Sequence, residues 1–597
     1  MHPKEEKNSD KLTVERQKRL MVARQEILRL PPDKMLDRIS EEPHPAALVH
    51  SFPEEDLYFL VHGIGPGDAG QLLKLASDKQ WEYILDHDIW RRDQLELRSV
   101  TKWVNRLLHA DPKRLVRGVF QEKFEFIKLY LHRTLEVKVR EHDEDPSEFG
   151  KNYHTFDDVY YFRFLPAPPE SSGKEVSGMD RDKMITFFLD QLSEYDNVRF
   201  QTLLLESDAI LPAEVEEELF RQRNMRLAEK GFLPFDKAIG IYQPVQPEDF
   251  FLQPQKTLRP DTEPVRDLQI PQVAADMLEE DNLFTRGLRA ISSVDILMQL
   301  QAEFAGLCNR LLSADQRQLG DRTQLSATVH KASGYIHLGL ESLISESDSR
   351  HAWGRAAQIL EGYPLIRLFR VGYGKALALK WRTENWRRDS WFETRGLPLS
   401  FWDEEWVGVL GGLFLKRPLF FDDRAAGQRY RDFRSQTDVA HTSGQLDGLI
   451  AFDKLFSHLE TGIDFKPGQF LTYKKLLLTL WARHYLGIDV VGEPTPPDPT
   501  LSLEELRTFV QGLFSESSEA DPERQRYIGD PLKTDFLNWA SKQSGLGVEE
   551  NSDTLGVFLE RIFQELEEEL ADVTPDDLDP RFISLFLVQV EDGSEGF

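Results

Sequence analysis

Pro45 to Asp86 reads PAALVHSFPEEDLYFLVHGIGPGDAGQLLKLASDKQWEYILD, and this stretch decides the fold. Its pieces Ala46–Phe52, Pro53–Ile64, Pro66–Ala76 and Ser77–Trp90 each open on a proline or a capping residue, which predicts short helices separated by tight turns. Leu57, Leu60 and Val61, then Leu72, Leu73 and Leu75, then Trp81, Ile84 and Leu85 recur at helical spacing. Helices this short cannot bury an apolar stripe alone, so they must lie against one another. A stack made this way leaves a face on which a partner can dock. Ser77 with Gln80 forms an S-x-x-Q capping box, and Asp111-Pro112 supplies a cap and first-turn proline ahead of Leu115, Val116, Val119 and Phe120.

Outward from this stretch the chain divides by composition. Residues 1–44 form a charged N-terminal helix or arm, and 45–140 a helical-repeat domain. Residues 151–242 form a second helical unit with an extended aromatic segment at Asp157–Phe164, read as a single docking arm. Prolines recur at 244, 247, 254, 260, 264 and 271 without periodicity, so 243–272 reads as a linker and 273–597 as a helical C-terminal domain. In the last long helix Leu555, Phe558, Leu559, Ile562, Phe563, Leu566 and Leu570 make one apolar stripe, with Glu560, Glu565, Glu567 and Glu568 turned away. The fold class is therefore mainly α: solenoid-like helical repeats, then a larger helical part with few strands.

Composition excludes several classes of function. The 597 residues exceed one hydrophobic core, and the net charge of -29 repels polyanions, which argues against a nucleic-acid partner. The single cysteine, Cys308, excludes an internal disulfide framework and fits a reducing cytoplasm. Its apolar helical flanks mark a buried, inert thiol. The N-terminal residues lack the apolar core of a signal peptide, so export is not expected. The longest uncharged apolar run, Trp406 to Leu415, is far short of the ~20 residues of a membrane helix, and no membrane insertion is expected.

The segment Pro45–Asp86 resembles the N-terminal superhelical domain of MgtE-type magnesium transporters, whose repeats run leucine pair, proline, acidic pair, leucine. The resemblance implies a superhelical docking module. Glu54, Glu55, Asp56 and Asp68 fall in first helical turns, where carboxylates suit the helix dipole without any metal, so no magnesium ligand is carried over. Three further stretches, DDVYYFRF at Asp157–Phe164, FRQRNMRLAEKGFLPFDKAIGIYQP at Phe220–Pro244 and ADVTPDDLDPRF at Ala571–Phe582, make the whole chain resemble a bacterial family of unknown function. That resemblance implies a bacterial, cytoplasmic protein.

One region is chemically unusual. Trp381, Trp386, Trp391, Trp402 and Trp406 are interleaved with Arg382, Arg387, Arg388 and Arg395, a combination that can stack rings and clamp an anion. The plainer reading is core tryptophans with arginines paired to Glu384, Asp389, Glu393, Asp403 and Glu404. Trp-Arg-Arg-Asp occurs twice, at Trp90–Asp93 and Trp386–Asp389, as a weak sign of equivalent corners in stacked units. The glycines at 63, 65, 67 and 70, and Gly372-x-Gly374-Lys375, lack a complete phosphate-loop pattern. His441 beside Asp438 and Ser443 does not make a triad by adjacency, and the histidines show no paired-ligand spacing. No catalytic residue, cofactor or metal site is assigned. The expectation is a cytoplasmic adaptor or regulatory scaffold with a protein partner. The alternative is a small-anion sensor or enzyme using residues 381–406.

Overall fold

The computed structural model describes residues 19–20, 22–24, 26–28, 30–141, 144–166, 178–252, 255–256, 281–317, 322–344, 352–425, 427–459, 471–488, 499–514, 527–544 and 548–589. Most of the proline-rich segment 243–272 and of the charged arm before residue 30 lies outside them, as do parts of the acidic segment 141–148 and of Pro166 to Gly178. The chain is mainly helical, with a few short strands in small sheets. By contact density it forms two compact units: Met1–Gln243 with Phe251–Ile336 and Ile344–Arg370, and Pro244–Phe250 with His337–Leu343 and Val371–Phe597.

In the first unit the expected short helices occur as Pro45–His50, Glu54–Ile64, Gly70–Leu75 and Asp78–Asp88. Pro32–Ser40 packs on Glu54–Ile64, Pro45–His50 on Gly70–Leu75, Glu54–Ile64 on Asp78–Asp88, and Gly70–Leu75 on Leu97–Ala110, so that helices two places apart meet. Leu57, Leu60, Val61, Leu72, Leu73, Trp81, Ile84 and Leu85 are all buried. The third helix begins later than the prolines suggest because Gly65, at φ 105, takes a conformation open mainly to glycine and the Asp68 amide closes a turn onto its carbonyl.

The start signals work as their chemistry requires. Ser77 Oγ accepts the Gln80 amide at 3.3 Å while Gln80 Oε1 accepts the Ser77 amide at 2.7 Å. Gln80 Nε2 also donates to the Val49 and Phe52 carbonyls, each at 2.9 Å, so the cap of one helix satisfies the open end of an earlier one. Asp111 Oδ1 accepts the Arg114 amide at 3.1 Å. Caps of this kind contribute about 0.5–2 kcal/mol each.

Two expectations are corrected here. Asp157–Phe164 is no single arm: Tyr160–Phe164 is the central strand of a three-stranded antiparallel sheet between Leu135–Val139 and His154–Thr155, in register Leu135↔Phe164 and Val139↔Tyr160. Its alternating aromatics need a partner on each side to satisfy the backbone, and both are local. The two Trp-Arg-Arg-Asp copies are not equivalent corners either. Trp90–Arg91 pairs with Gln94–Leu95 in a hairpin turned at Arg92, φ 62, whereas Trp386–Asp389 is the last turn of the helix Leu365–Asp389.

The second unit is centred on aromatic rings. Trp402, Trp406, Phe452 and Tyr473 form a cluster with Phe558, and Trp481, Phe509, Phe536 and Phe563 form another. The apolar stripe of the helix Val548–Leu570 is buried throughout, Leu555 to Leu570. Gly448 passes so close to the Phe558 ring that an added Cβ would overlap it. Two of the glutamates expected to face water are engaged instead: Glu565 receives Lys474 Nζ at 2.7 Å, and Glu567 accepts the Ile528 amide at 2.8 Å. Glu560 and Glu568 are exposed, as expected of that face.

Candidate functional site

In the second unit, the residues expected as a ligand or partner surface separate into core and surface. Trp402 and Trp406 are fully buried, Trp386 and Trp391 half-buried, and Trp381 is exposed. The rings of Trp386, Phe392, Phe401, Trp402 and Phe456 pack edge to face or offset at 5.2–6.5 Å, as aromatic cores do. At their centre the buried Asp453 carboxylate accepts from Trp386 Nε1 at 3.2 Å, the Trp391 amide at 3.2 Å and the Phe392 amide at 2.9 Å. Burial raises the pKa of this carboxyl and these three donors oppose the rise.

The arginines do not share a target. Arg382 reaches Ser443 Oγ at 3.1 Å and the Asp447 carboxylate; Arg387 pairs with Glu393 at 2.8 Å and lies over the Phe414 ring. Arg388 reaches Asn385 at 2.9 Å, and Arg395 is exposed. The sequence places tryptophan and arginine side by side, but Trp386, Trp391, Trp402 and Trp406 turn towards the core, Trp381 stays exposed, and Arg382, Arg387 and Arg388 reach separate partners.

In the first unit, the acidic first turn Glu54–Asp56 is covered rather than open. Lys230 Nζ lies 3.0 Å from Glu54 and 3.5 Å from Glu55, and Arg226 forks onto Asp86 at 2.6 and 2.8 Å. Arg223 Nε donates to the Asp86 carbonyl at 2.5 Å. Thus the stretch Phe220–Pro244 places Arg223, Arg226 and Lys230 at helical spacing as a clamp on the stack, in and just beyond the helix Pro212–Glu229. Burial pushes the Glu55 carboxyl up against the pull of Lys230.

Behind this clamp lies a buried polar group of residues. Tyr58 donates to Asp88 Oδ1 at 2.6 Å, and His62 Nε2 lies 2.9 Å from Asp88 Oδ2 without hydrogen-bond alignment. Tyr83 Oη, His87 Nε2 and Glu55 Oε2 are buried without a hydrogen-bond partner among the described residues. Burial first, then the Arg223 charge, holds the His87 imidazole at about 3, so it is neutral throughout the ordinary pH range. Among the described residues no three His, Cys, Asp or Glu side chains are placed to hold a metal ion. Cys308 is buried as expected, and burial raises its thiol well above the range of a nucleophile.

One open feature among the described residues of the first unit is a cleft of about 560 Å³ between the glycine turn and the helix Leu97–Ala110. Pro66, Gly67 and Gly70 form one wall; Thr101, Lys102, Asn105, Arg106 and His109 the other; Leu73, Asp180 and Met184 complete it. Lys102, Arg106 and His109 fall at i, i+4 and i+7 and so share one helix face. Gly67 and Gly70 have open space where a Cβ would stand, which lets a ligand approach their backbone. Lys102, Arg106 and His109 are absent from the candidates the sequence suggested. A signal was present: Leu97 to Phe120 contains six Lys or Arg, at 98, 102, 106, 113, 114 and 117, against one acid, Asp111, in a chain of net charge -29.

What the architecture defines is a mainly helical protein with a polar, cation-lined cleft in its first unit. Residues 13–589 match the model described as Family of unknown function (DUF6178), nearly the whole chain, and the protein belongs to that family. No curated protein and no solved structure matches it. No helix among the described residues is long and apolar enough to cross a membrane.

Proposed function

We propose that this protein is a cytoplasmic, non-enzymatic adaptor or regulatory scaffold that recognises a protein partner through its N-terminal helices. The observation that carries the reading is the cleft beside Leu97–Ala110, a polar, cation-lined opening between that helix and the glycine turn. The resemblance of Pro45–Asp86 to the superhelical domain of MgtE-type transporters, with each helix packed on the one two ahead, supports a superhelical docking module. The Trp381–Trp406 region offers less support for an anion sensor, because its rings fill a core and its arginines are engaged separately.

The test is affinity purification from native lysate with the wild-type chain and with Lys102→Glu plus Arg106→Glu. A stoichiometric partner recovered by the wild type and lost by the double variant is expected. Recovery by both, or by neither, overturns the assignment of docking to this cleft.

A further inference from the structure

We infer that Arg310 and Arg370 bind a small tetrahedral oxyanion of the phosphoryl class beside the short helix Ile239–Tyr242 in the first unit. The site is separate from the cleft, and the inference goes beyond the docking reading without resting on it.

The fold brings the two arginines together from distant segments. Asn309 Nδ2 donates to the Lys230 carbonyl at 2.6 Å, and Gly231, at φ 83, runs so close to Gly306 that a Cβ there would stand 3.0 Å from its Cα. These contacts set the helix Val294–Asp315 along residues 230–242, and it packs on both Phe235–Ala238 and Ile239–Tyr242. Arg310 follows Asn309 directly and Gly306 by about one helical turn. Arg370, in the second turn of the helix Leu365–Asp389, reaches the same short helix. Its Nη2 donates to the Gly240 carbonyl at 2.8 Å, and the preceding Phe369 packs on Tyr242 with ring centres 6.1 Å apart.

Placed this way, the two guanidinium groups meet no opposite charge. Arg310 Nε and Arg370 Nε are buried and donate to no group among the described residues, and neither side chain has a carboxylate within ion-pair distance among them. The carboxylates that flank Arg310 in its own helix are engaged elsewhere. Glu303 accepts Lys256 Nζ at 2.8 Å and the Leu365 amide at 3.1 Å, while Asp315 accepts Lys331 Nζ at 3.0 Å and the Tyr242 hydroxyl. Burial lowers the Arg370 pKa, and the charges of Arg310 and Arg367 lower it further, so these positive groups stand close enough to repel. A water molecule accepts from both Nε–H groups but leaves the repulsion in place. An anion removes both costs.

Charge and shape choose the class of anion. A carboxylate neutralises one of two guanidinium groups, whereas a phosphate carries about -1.5 to -2 near pH 7 and matches both. Its oxygens point in several directions, so different oxygens accept from the planar donor edges of separate arginines. Arg310 and Arg370 are half-buried, within reach of a small solute. The overall charge of -29 opposes any anion, but it is screened over about 8 Å at physiological ionic strength, so the adjacent guanidinium groups govern the affinity.

The experiment is isothermal titration calorimetry of the full-length protein with sodium phosphate, with ionic strength held constant by chloride. One site per chain with a Kd of about 1 mM or tighter is expected, and acetate is expected to bind at least about tenfold more weakly. Glycerol 3-phosphate separates the sources of the ligand. Binding as tight as that of phosphate supports the inference with a phosphomonoester as ligand, and much weaker binding supports it with the free ion. Arg310→Met and Arg370→Met, which keep much of the packing volume, are each expected to weaken phosphate binding by about tenfold or more.

A structural role is separated by urea unfolding. Phosphate is expected to raise the wild-type midpoint, because it binds the folded chain. In chloride alone Arg310→Met is expected to leave the midpoint unchanged or raised, since one of two repelling charges is gone, and to abolish the rise with phosphate. Lys102→Glu with Arg106→Glu is expected to bind phosphate as the wild type does, so failure of the docking reading and failure of this site are seen independently. Wild-type protein that shows no saturable phosphate binding overturns the inference, as does acetate binding equal to that of phosphate. A midpoint lowered equally in Arg310→Met with and without phosphate overturns it in favour of a packing role.

Discussion

Trp381–Trp406 and Leu97–Phe120 both interleave aromatic or apolar residues with cations, yet they have opposite fates. In the first, four arginines stand among six acids in the sequence, and the arginines seen at Arg382 and Arg387 end on carboxylates. The tryptophans become a packed core around Asp453. In the second, six Lys or Arg stand against one acid. Two of them, with His109, line an open cleft. Where acids match the arginines the charges pair within the chain and the rings pack, whereas the segment in which cations outnumber acids sets two of them along a cleft.

The contrast is best broken at its core. Trp406 is fully buried among Trp402, Phe452, Tyr473 and Phe558 and donates to the Gln445 carbonyl at 3.1 Å. Trp406→Ala is expected to destabilise the second unit by about 3–5 kcal/mol, read as an earlier denaturant midpoint. A midpoint unchanged by this substitution would mean that the region is not core. In the first unit, Arg226→Ala leaves the buried Asp86 without its forked partner. A loss of about 1.5–3 kcal/mol is expected in urea unfolding, and an unaltered midpoint would show that the clamp does not hold the stack.

A smaller effect separates the interiors by pH. The unfolded chain takes up a proton at His87 near 6.5, whereas the folded chain refuses it until about 3, so stability falls as pH drops through that window. At pH 5.5 this amounts to about 1.4 kcal/mol. His87→Phe is expected to flatten that part of the profile of midpoint against pH, and an identical slope in wild type and variant rejects the assignment. The smallest change is expected from Arg387→Ala with Arg388→Ala, the first half-buried and the second exposed. Stability is expected to move by about 0.5 kcal/mol or less for each, and a larger shift of the denaturant midpoint would show that these surface pairs hold the region together.

Much of the first unit was legible because its signals are local. A proline at N1, the Ser77–Gln80 box and the Asp111 cap act within one helical turn, so the sequence states them completely. The stripe Leu555–Leu570 was legible for the same reason: periodicity reports which face is buried. What occupies that face was not. Glu565 and Glu567 meet Lys474 and the Ile528 amide from segments distant in sequence, and no period records those contacts. The extended segment Asp157–Phe164 was recognised as strand-like, but its two neighbours follow from chain reversal rather than from its own residues. The candidate site was the least legible part, since its walls come from Pro66–Gly70, Leu97–Ala110 and Asp180–Met184.

By itself the sequence determined that this chain is helical, where its early helices begin and which side chains turn inward. Those properties arise from backbone capping and side-chain periodicity within a few residues. The tertiary structure alone decided that Arg223, Arg226 and Lys230 close over one face of the stack while Lys102 and Arg106 line an opening. The meeting of residues separated by more than a hundred positions, as with Arg226 and Asp86, is set by packing rather than by local pattern.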